Sequence, residues 1–222
     1  MEFLFSWLFS PDNVRKPALG ALKMRIVAMF AVLLALAGCA TAPTGTQATD
    51  SQIADVAYRA PGASTLTLIT MINNTSGSGA HTALLINGSQ RVIFDPAGSF
   101  RNDRVMRRAD VLYGITPAVL AAYKGAHTRA AFHMVLQTVE VTPSQAETAL
   151  RLAIARGAVS SAQCAASTTA LLAQVQGFEA VKSTWFPKNL MNQFETLPGV
   201  KTERYYEDDE GTILDGIAKV QL

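Results

Sequence analysis

Two cysteines and three histidines are the residues of this 222-residue chain best suited to nucleophilic chemistry. Cys39 closes the run Leu-Ala-Gly-Cys at 36–39, directly after an apolar stretch, whereas Cys164 lies far downstream among small and polar residues. If the chain is exported and Cys39 is used at the end of a signal sequence, Cys164 is left as an unpaired thiol. Such a thiol is open to oxidation outside the cytoplasm, so its presence needs an explanation. We interpret Cys164 as a candidate nucleophile. The alternative is a buried, inert thiol packed as a small hydrophobe.

The segment around Cys164 predicts a helix that begins near this residue and runs to about Val175. The positive end of a helix favours a thiolate and can lower a cysteine pKa from about 8.5 to between about 3.5 and 7.5. The N–H of Cys164 and the side-chain amide of Gln163 are candidate donors to an oxyanion. The alternative is that Gln163 is only the residue that precedes the helix.

A cysteine nucleophile needs a base, and His81 has the most favourable position among the histidines. It follows a glycine-rich loop and opens a predicted strand, where a side chain can face a cleft at the rim of a sheet. His133 lies inside a predicted strand and His127 in a connector. Packing and solvation are the simpler interpretations of those two residues.

Asp95 is the candidate third member, because it ends the strand that follows the strand of His81. A three-residue loop over 87–89 would place Asp95 opposite His81, on the same face. A two-residue Asn-Gly turn would place Phe94 there and point Asp95 the other way. The Asp-Pro-Ala-Gly run at 95–98 is also good turn chemistry, so a purely structural role stays open.

Strands and helices in a mixed order position these residues and predict the α+β class. The predicted strands cover 65–72, 81–86, 91–95, 132–141 and 200–206, and the predicted helices cover 116–124, 143–156, 164–175 and 189–194.

Residues 1–38 are predicted to be a lipoprotein signal peptide, because the apolar run Ile26–Ala37 follows Lys23 and Arg25. The run is shorter than the roughly 20 residues of a membrane-spanning helix, and with Cys39 after it the segment resembles a bacterial lipobox. A retained signal anchor is the alternative. Because Met24 would be an orthodox signal start, we expect 1–23 to be an over-extension, unless the leader is unusually long.

Residues 39–52 are predicted to be a flexible tether and 53–222 a single folded domain. The leader holds four of the 19 basic and two of the 17 acidic residues, so the mature chain carries 15 of each. A neutral chain without a basic cluster lacks the footprint of a nucleic-acid binder. One mature cysteine and three scattered histidines do not form a zinc motif, and we expect no metal and no cofactor.

These motifs resemble the circularly permuted branch of the papain-like NlpC superfamily, which includes lecithin:retinol acyltransferase-like proteins. The matching parts are HTALLI at 81–86, VIFDPAG at 92–98 and Cys164 at a later helix start, within residues 65–175. The resemblance implies an antiparallel sheet with helices packed on it and a nucleophile at a helix N-terminus. It also implies that Cys164 attacks, His81 is the base and Asp95 the third member. Several relatives carry histidine at the position of Asp95, and some carry asparagine at that of Gln163.

We therefore expect a lipoprotein of the bacterial cell envelope, held to the membrane by lipid on Cys39 and facing the periplasm or the exterior. Its thiol hydrolase domain is expected to cleave an amide bond in cell-wall peptides. Two alternatives remain: a thiol acyltransferase or thioesterase acting on a lipid ester, and a non-catalytic binding or assembly lipoprotein. The aromatic run at 185–187 could line a groove or pack in the core. The oligomeric state does not follow from the sequence.

Overall fold

The computed structural model describes residues 47–207 of the chain. The predicted signal peptide, Cys39 and the first part of the predicted tether lie outside these residues. Within 47–207, no helix is both long and apolar enough to cross a membrane.

The described residues form seven strands and five helices. The strands are β1 Thr65–Asn73, β2 Gly79–Asn87, β3 Arg91–Phe94, β4 Arg107–Arg108, β5 Val111–Leu112, β6 Phe132–Glu140 and β7 Lys201–Tyr205. The helices are α1 Asp50–Asp55, α2 Pro117–His127, α3 Pro143–Arg156, α4 Cys164–Leu172 and α5 Pro187–Glu195.

All seven strands join one antiparallel sheet in the order β4-β5-β3-β2-β1-β6-β7. The predicted α+β class is confirmed. Each predicted strand and helix is present, with ends displaced by a few residues. The short strands β4 and β5 were not predicted, because two residues are too few to show an alternating pattern.

The sheet is covered on both faces by buried apolar clusters. Leu66, Leu84 and Phe94 belong to a buried cluster that includes residues of α3, α4 and α5. Alternate strand residues such as Ile69 and Ile93 belong to a second cluster that includes residues of α2. Because strand side chains alternate between faces, each central strand contributes to both clusters.

The β2–β3 hairpin differs from both predicted registers. Asn87 pairs with Arg91 and Leu84 with Phe94, so the loop consists of residues 88–90. The Asn87 side chain is buried and binds the segment before β1, accepting from the Ala60 N–H at 3.0 Å. That use of Asn87 explains why no tight Asn-Gly turn forms here.

The predicted flexible tether is wrong over residues 47–52. Ala48 is buried, and its N–H donates to the carbonyl of Arg107 at 2.8 Å. Thr49 and Gln52 form a capping box that opens α1. A Thr-x-x-Gln run is a known helix-start signal, here within a segment whose composition favours disorder.

Candidate active site

His81 keeps the regular register of β2 and follows a β-bulge at the start of this strand. Met71 pairs with His81 and Ile72 with Gly79, so Ala80 is the extra residue. Bulges redirect side chains at sheet edges. Here Gly79 faces α5, and a Cβ added to Gly79 would lie 2.5 Å from the backbone nitrogen of Lys188. His81, by its pairing with Met71, lies on the opposite face.

Asp95 lies on the face of His81, because the observed register has the same parity as the predicted three-residue loop. Since Leu84 pairs with Phe94, Asp95 is next to Ala83 across the hairpin and diagonal to His81. The His81 Nε2 lies 2.8 Å from Oδ1 of the buried Asp95 carboxyl. A one-residue change of register would have separated them.

Cys164 is the first residue of α4, as predicted, and only 6% of it is exposed. Because β3 pairs with β2 only as far as Leu84, the edge of β2 at Thr82 is open to α4. The thiol lies near His81 and near the backbone N–H groups of Thr82 and Ala165. Since His81 Nε2 faces Asp95, Nδ1 is the ring nitrogen left for the thiol.

Electrostatics favour a charged pair at this site. Burial lowers the pKa of His81, but hydrogen bonds to Asp95 and Cys164 and the charges of both outweigh it and raise the pKa to about 10. Burial raises the pKa of the Cys164 thiol, but the His81 hydrogen bond and charge lower it overall. Burial likewise raises the pKa of Asp95, and His81 lowers it overall. These shifts favour a thiolate–imidazolium pair beside a carboxylate over a neutral thiol and a neutral imidazole.

Tyr123 is a fourth member that sequence reasoning missed. Its hydroxyl donates to Asp95 Oδ1 at 2.8 Å, the same oxygen that His81 contacts, and the side chain is fully buried. Burial first, and then the Asp95 carboxylate, raise the pKa of Tyr123 well above its ordinary value, so it stays a donor.

His127 belongs to the same cluster, so its interpretation as a solvated connector residue is wrong. It lies in the last turn of α2, where its Nδ1 donates to the Tyr123 carbonyl at 2.8 Å. Its ring lies 4.3 Å from that of Tyr123 and is stacked 6.4 Å from that of His81. Burial lowers the pKa of His127. The spacing of four residues between Tyr123 and His127 was the available signal for a shared helix face.

The third histidine, His133, lies on β6 outside this cluster. Its Nδ1 is 2.6 Å from the Asn74 side-chain oxygen, and its ring stacks on Tyr206.

Gly98 leaves the space that the Asp95 carboxyl group occupies. Asp95 opens a turn in which the Gly98 N–H donates to the Asp95 carbonyl at 3.0 Å. Ala97 supplies the positive φ of 58° that this turn requires. A Cβ on Gly98 would overlap the Asp95 carboxylate, so only glycine fits.

Asp110 joins the two segments that carry the site. It is buried, and its Oδ2 accepts the N–H of Ala97 and the N–H of Val159, each at 2.9 Å. Its Oδ1 accepts from Arg107, also at 2.9 Å. Ala97 follows Asp95, and Val159 precedes α4, so Asp110 fixes the distance between these segments.

Gln163 is the N-cap residue of α4 and makes no side-chain capping bond. Its side-chain amide has no hydrogen-bond partner within residues 47–207, and the residue is half-buried. The amide is therefore available to a bound molecule beside Cys164.

A cavity of about 510 Å³ is lined by Phe100, whose ring is 5.9 Å from that of His127, but not by His81, Asp95 or Cys164. Residues 47–207 contain no group of three His, Cys, Asp or Glu side chains placed to hold a metal.

Comparisons of the chain with protein-family models, with curated proteins and with solved structures find no match. The resemblance carried by the motifs at 81–86 and 92–98 and by Cys164 stays a prediction. The site combines a thiol of lowered pKa, an adjacent imidazole of raised pKa and a carboxylate, which are the groups of a nucleophilic cysteine site.

Proposed function

We propose that this protein is a thiol hydrolase in which Cys164 attacks an acyl carbonyl. The observation that carries the proposal is the 2.8 Å hydrogen bond between His81 and Asp95 next to Cys164, whose thiol and the His81 ring influence each other's charge. An inert buried thiol would need neither an adjacent histidine nor a carboxylate behind it. The lowered pKa of Cys164 supports the same role.

The proposed reaction has two halves. The Cys164 thiolate bonds to the carbonyl carbon, and the oxyanion receives the N–H of Cys164 and the amide of Gln163. His81 then gives its proton to the leaving amine, the carbon–nitrogen bond breaks, and an acyl thioester remains on Cys164. Water gives a proton to His81 and attacks the thioester, which releases the carboxylic acid and restores the thiolate–imidazolium pair.

Asp95 and Tyr123 position the base. The Asp95 carboxylate holds His81 Nε2 and stabilises its positive charge. The Tyr123 hydroxyl, bound to the same carboxylate oxygen, holds that oxygen in place. Neither residue needs to change its protonation state during the reaction.

We assign the domain to a permuted papain-like fold of the NlpC type. The order of His81 before Cys164, the antiparallel sheet and the helix start at the nucleophile support this assignment. With lipid on Cys39, the enzyme is held at the cell envelope, where an amide in a cell-wall peptide is the natural substrate.

A lipid ester is the second candidate substrate, and one observation favours it. Trp185 and Phe186 are exposed at 58% and 71%, next to the helix end that packs on Gly79. Exposed aromatic side chains are suited to lipid contact. With an ester, His81 would protonate a leaving alkoxide instead of an amine.

Incubation of the full chain with peptidoglycan fragments and, separately, with phospholipid esters tests both candidates. We expect cleavage of one class, abolished in Cys164→Ala and retained in Ser161→Ala, a matched change at an exposed residue nearby. Loss of activity in both variants would count against a specific role of Cys164. If neither class is cleaved and the thiol is unreactive, a non-catalytic binding lipoprotein is the better account.

A further inference from the structure

Trp185 and Phe186 are large apolar residues, adjacent in the sequence, whose side chains are both exposed. We call these two residues the aromatic tip. They are 58% and 71% exposed, whereas Pro187 beside them is buried. The expectation of core packing is therefore wrong for the first two residues. Exposing two adjacent aromatic rings to water is unfavourable unless something covers them.

The aromatic tip is firmly mounted. Val181 and Thr184 before it are buried, and the Phe186 N–H donates to the Thr184 hydroxyl at 3.2 Å. Phe186 is the N-cap of α5, and its carbonyl accepts from the Leu190 N–H at 3.1 Å. The two rings therefore project from anchored backbone.

The charged residues nearest to the aromatic tip in the sequence are basic. Residues 180–194 contain Lys182 and Lys188 and no acidic residue, and Glu179 and Glu195 lie directly outside this range. Both lysines are exposed, and the Lys188 ammonium donates to the Gly77 carbonyl at 2.7 Å. Aromatic rings flanked by lysines match an interface between anionic headgroups and acyl chains.

The aromatic tip lies at the end of the sheet that carries the site. Lys188 packs on Gly79, two residues before His81 in β2. The residues that the structure describes begin at Gln47, eight residues after Cys39. Eight residues span at most about 29 Å when extended, so lipid on Cys39 would hold this domain within reach of the bilayer surface.

We propose that the aromatic tip inserts into the headgroup region of an anionic lipid bilayer, with Lys182 and Lys188 at the lipid phosphates. The anchor at Cys39 belongs to the proposed function, whereas the insertion rests on the exposed rings and their charges. Two weak attachments together give stable membrane binding where one does not.

Fluorescence of Trp185 tests the insertion directly. The chain has two tryptophans, so Trp7→Phe in the full chain leaves Trp185 as the sole reporter, whatever happens to the leader. The protein is isolated from host membranes and reconstituted in vesicles of phosphatidylglycerol and phosphatidylethanolamine. We expect a blue shift of the emission and its loss when the lipids are brominated. Emission that stays unshifted, unquenched by brominated lipid and open to aqueous iodide would overturn the proposal.

Matched variants separate insertion from anchoring and from chemistry. Phe186→Ser is expected to reverse most of the blue shift, and Lys182→Glu with Lys188→Glu to reverse it in a salt-dependent way. Tyr206→Ser, at a residue 59% exposed, is expected to leave it unchanged. An equal response in the Phe186 and Tyr206 variants would contradict the proposal. Alkylation of Cys164 in the same samples reports the proposed chemistry independently, so either hypothesis can fail alone.

Discussion

At the scale of single residues, the chemistry depends on one oxygen atom. Asp95 Oδ1 accepts from both His81 Nε2 and the Tyr123 hydroxyl at 2.8 Å. A buried carboxylate with two such donors is fixed in both charge and position. It favours the imidazolium form of His81, and that positive charge in turn lowers the pKa of the Cys164 thiol.

Asp95→Asn removes the charge and keeps the shape. Because the carboxylate raises the pKa of His81, the variant is expected to lower that pKa, raise the pKa of the Cys164 thiol and slow hydrolysis by about 10²- to 10⁴-fold at pH 7. Thiol alkylation followed over pH measures the change. An unaltered alkylation profile would mean that Asp95 is only a turn residue.

Gly98→Ala tests whether the position of the Asp95 carboxyl group matters for activity. The added methyl group overlaps the carboxylate and must displace it from His81. We expect at least a tenfold loss of activity, of the size that misplaced catalytic groups produce. Gly125→Ala, in helix α2, is the control, because its methyl group meets only the end of the Glu207 side chain at 3.3 Å. Equal losses in both variants would argue against a positioning role.

At the scale of elements, the site lies where several ends meet: β2 begins at a bulge, β3 gives way to a turn and α4 starts at Cys164. Asp110 links two of these segments through the N–H groups of Ala97 and Val159. Buried polar links of this kind fix one geometry, because each unpaired partner would be costly.

Asp110→Asn is expected to lower the free energy of unfolding by about 3 kcal/mol, since the amide leaves a buried charge pair broken. It is also expected to reduce Cys164 reactivity, because the turn after Asp95 is no longer tied to the approach to α4. Urea denaturation and thiol alkylation measure the two effects. Asp103→Asn, at an exposed residue, is the control. A destabilised variant with unchanged reactivity would separate Asp110 from the site.

Element types were predictable because the periodic segments and helix-start signals are strong, as at Thr116-Pro117 and Thr142-Pro143. The small and polar residues 160–163 likewise predicted a helix that begins near Cys164. The β2–β3 register was not predictable, because Asn87 binds residues 60–63 instead of forming a tight turn. Tyr123 and His127 were missed because their role depends on which sheet face α2 covers, a tertiary property.

At the scale of the whole molecule, all site members lie at one end of a sheet that is covered on both faces. Cys164 and His81 were candidates from the sequence because the chain has few cysteines and histidines, and Asp95 because it ends the strand that follows the strand of His81. Gly98 was not predictable, because glycine is required there only by the position of the Asp95 carboxyl group.

Global stability should report the Asp95 charge. Its folded pKa lies below the ordinary value near 3.9, so the stabilisation is present above that pH and lost as pH falls through the folded pKa. We expect the wild-type chain to lose more unfolding free energy below about pH 4 than Asp95→Asn does. Urea denaturation between pH 2 and pH 7 measures this. Parallel pH profiles for the two proteins would contradict the assigned charge.

The most direct test of the central claim is the rate of Cys164 alkylation by iodoacetamide as a function of pH, in the full chain with Cys39→Ser. We predict a midpoint well below the ordinary thiol pKa of about 8.5, and a shift to or above that value in His81→Asn. The matched variant His133→Asn, outside the cluster, keeps the low midpoint. A midpoint at or above 8.5 that is indifferent to His81 would contradict the thiolate–imidazolium pair and the hydrolase built on it.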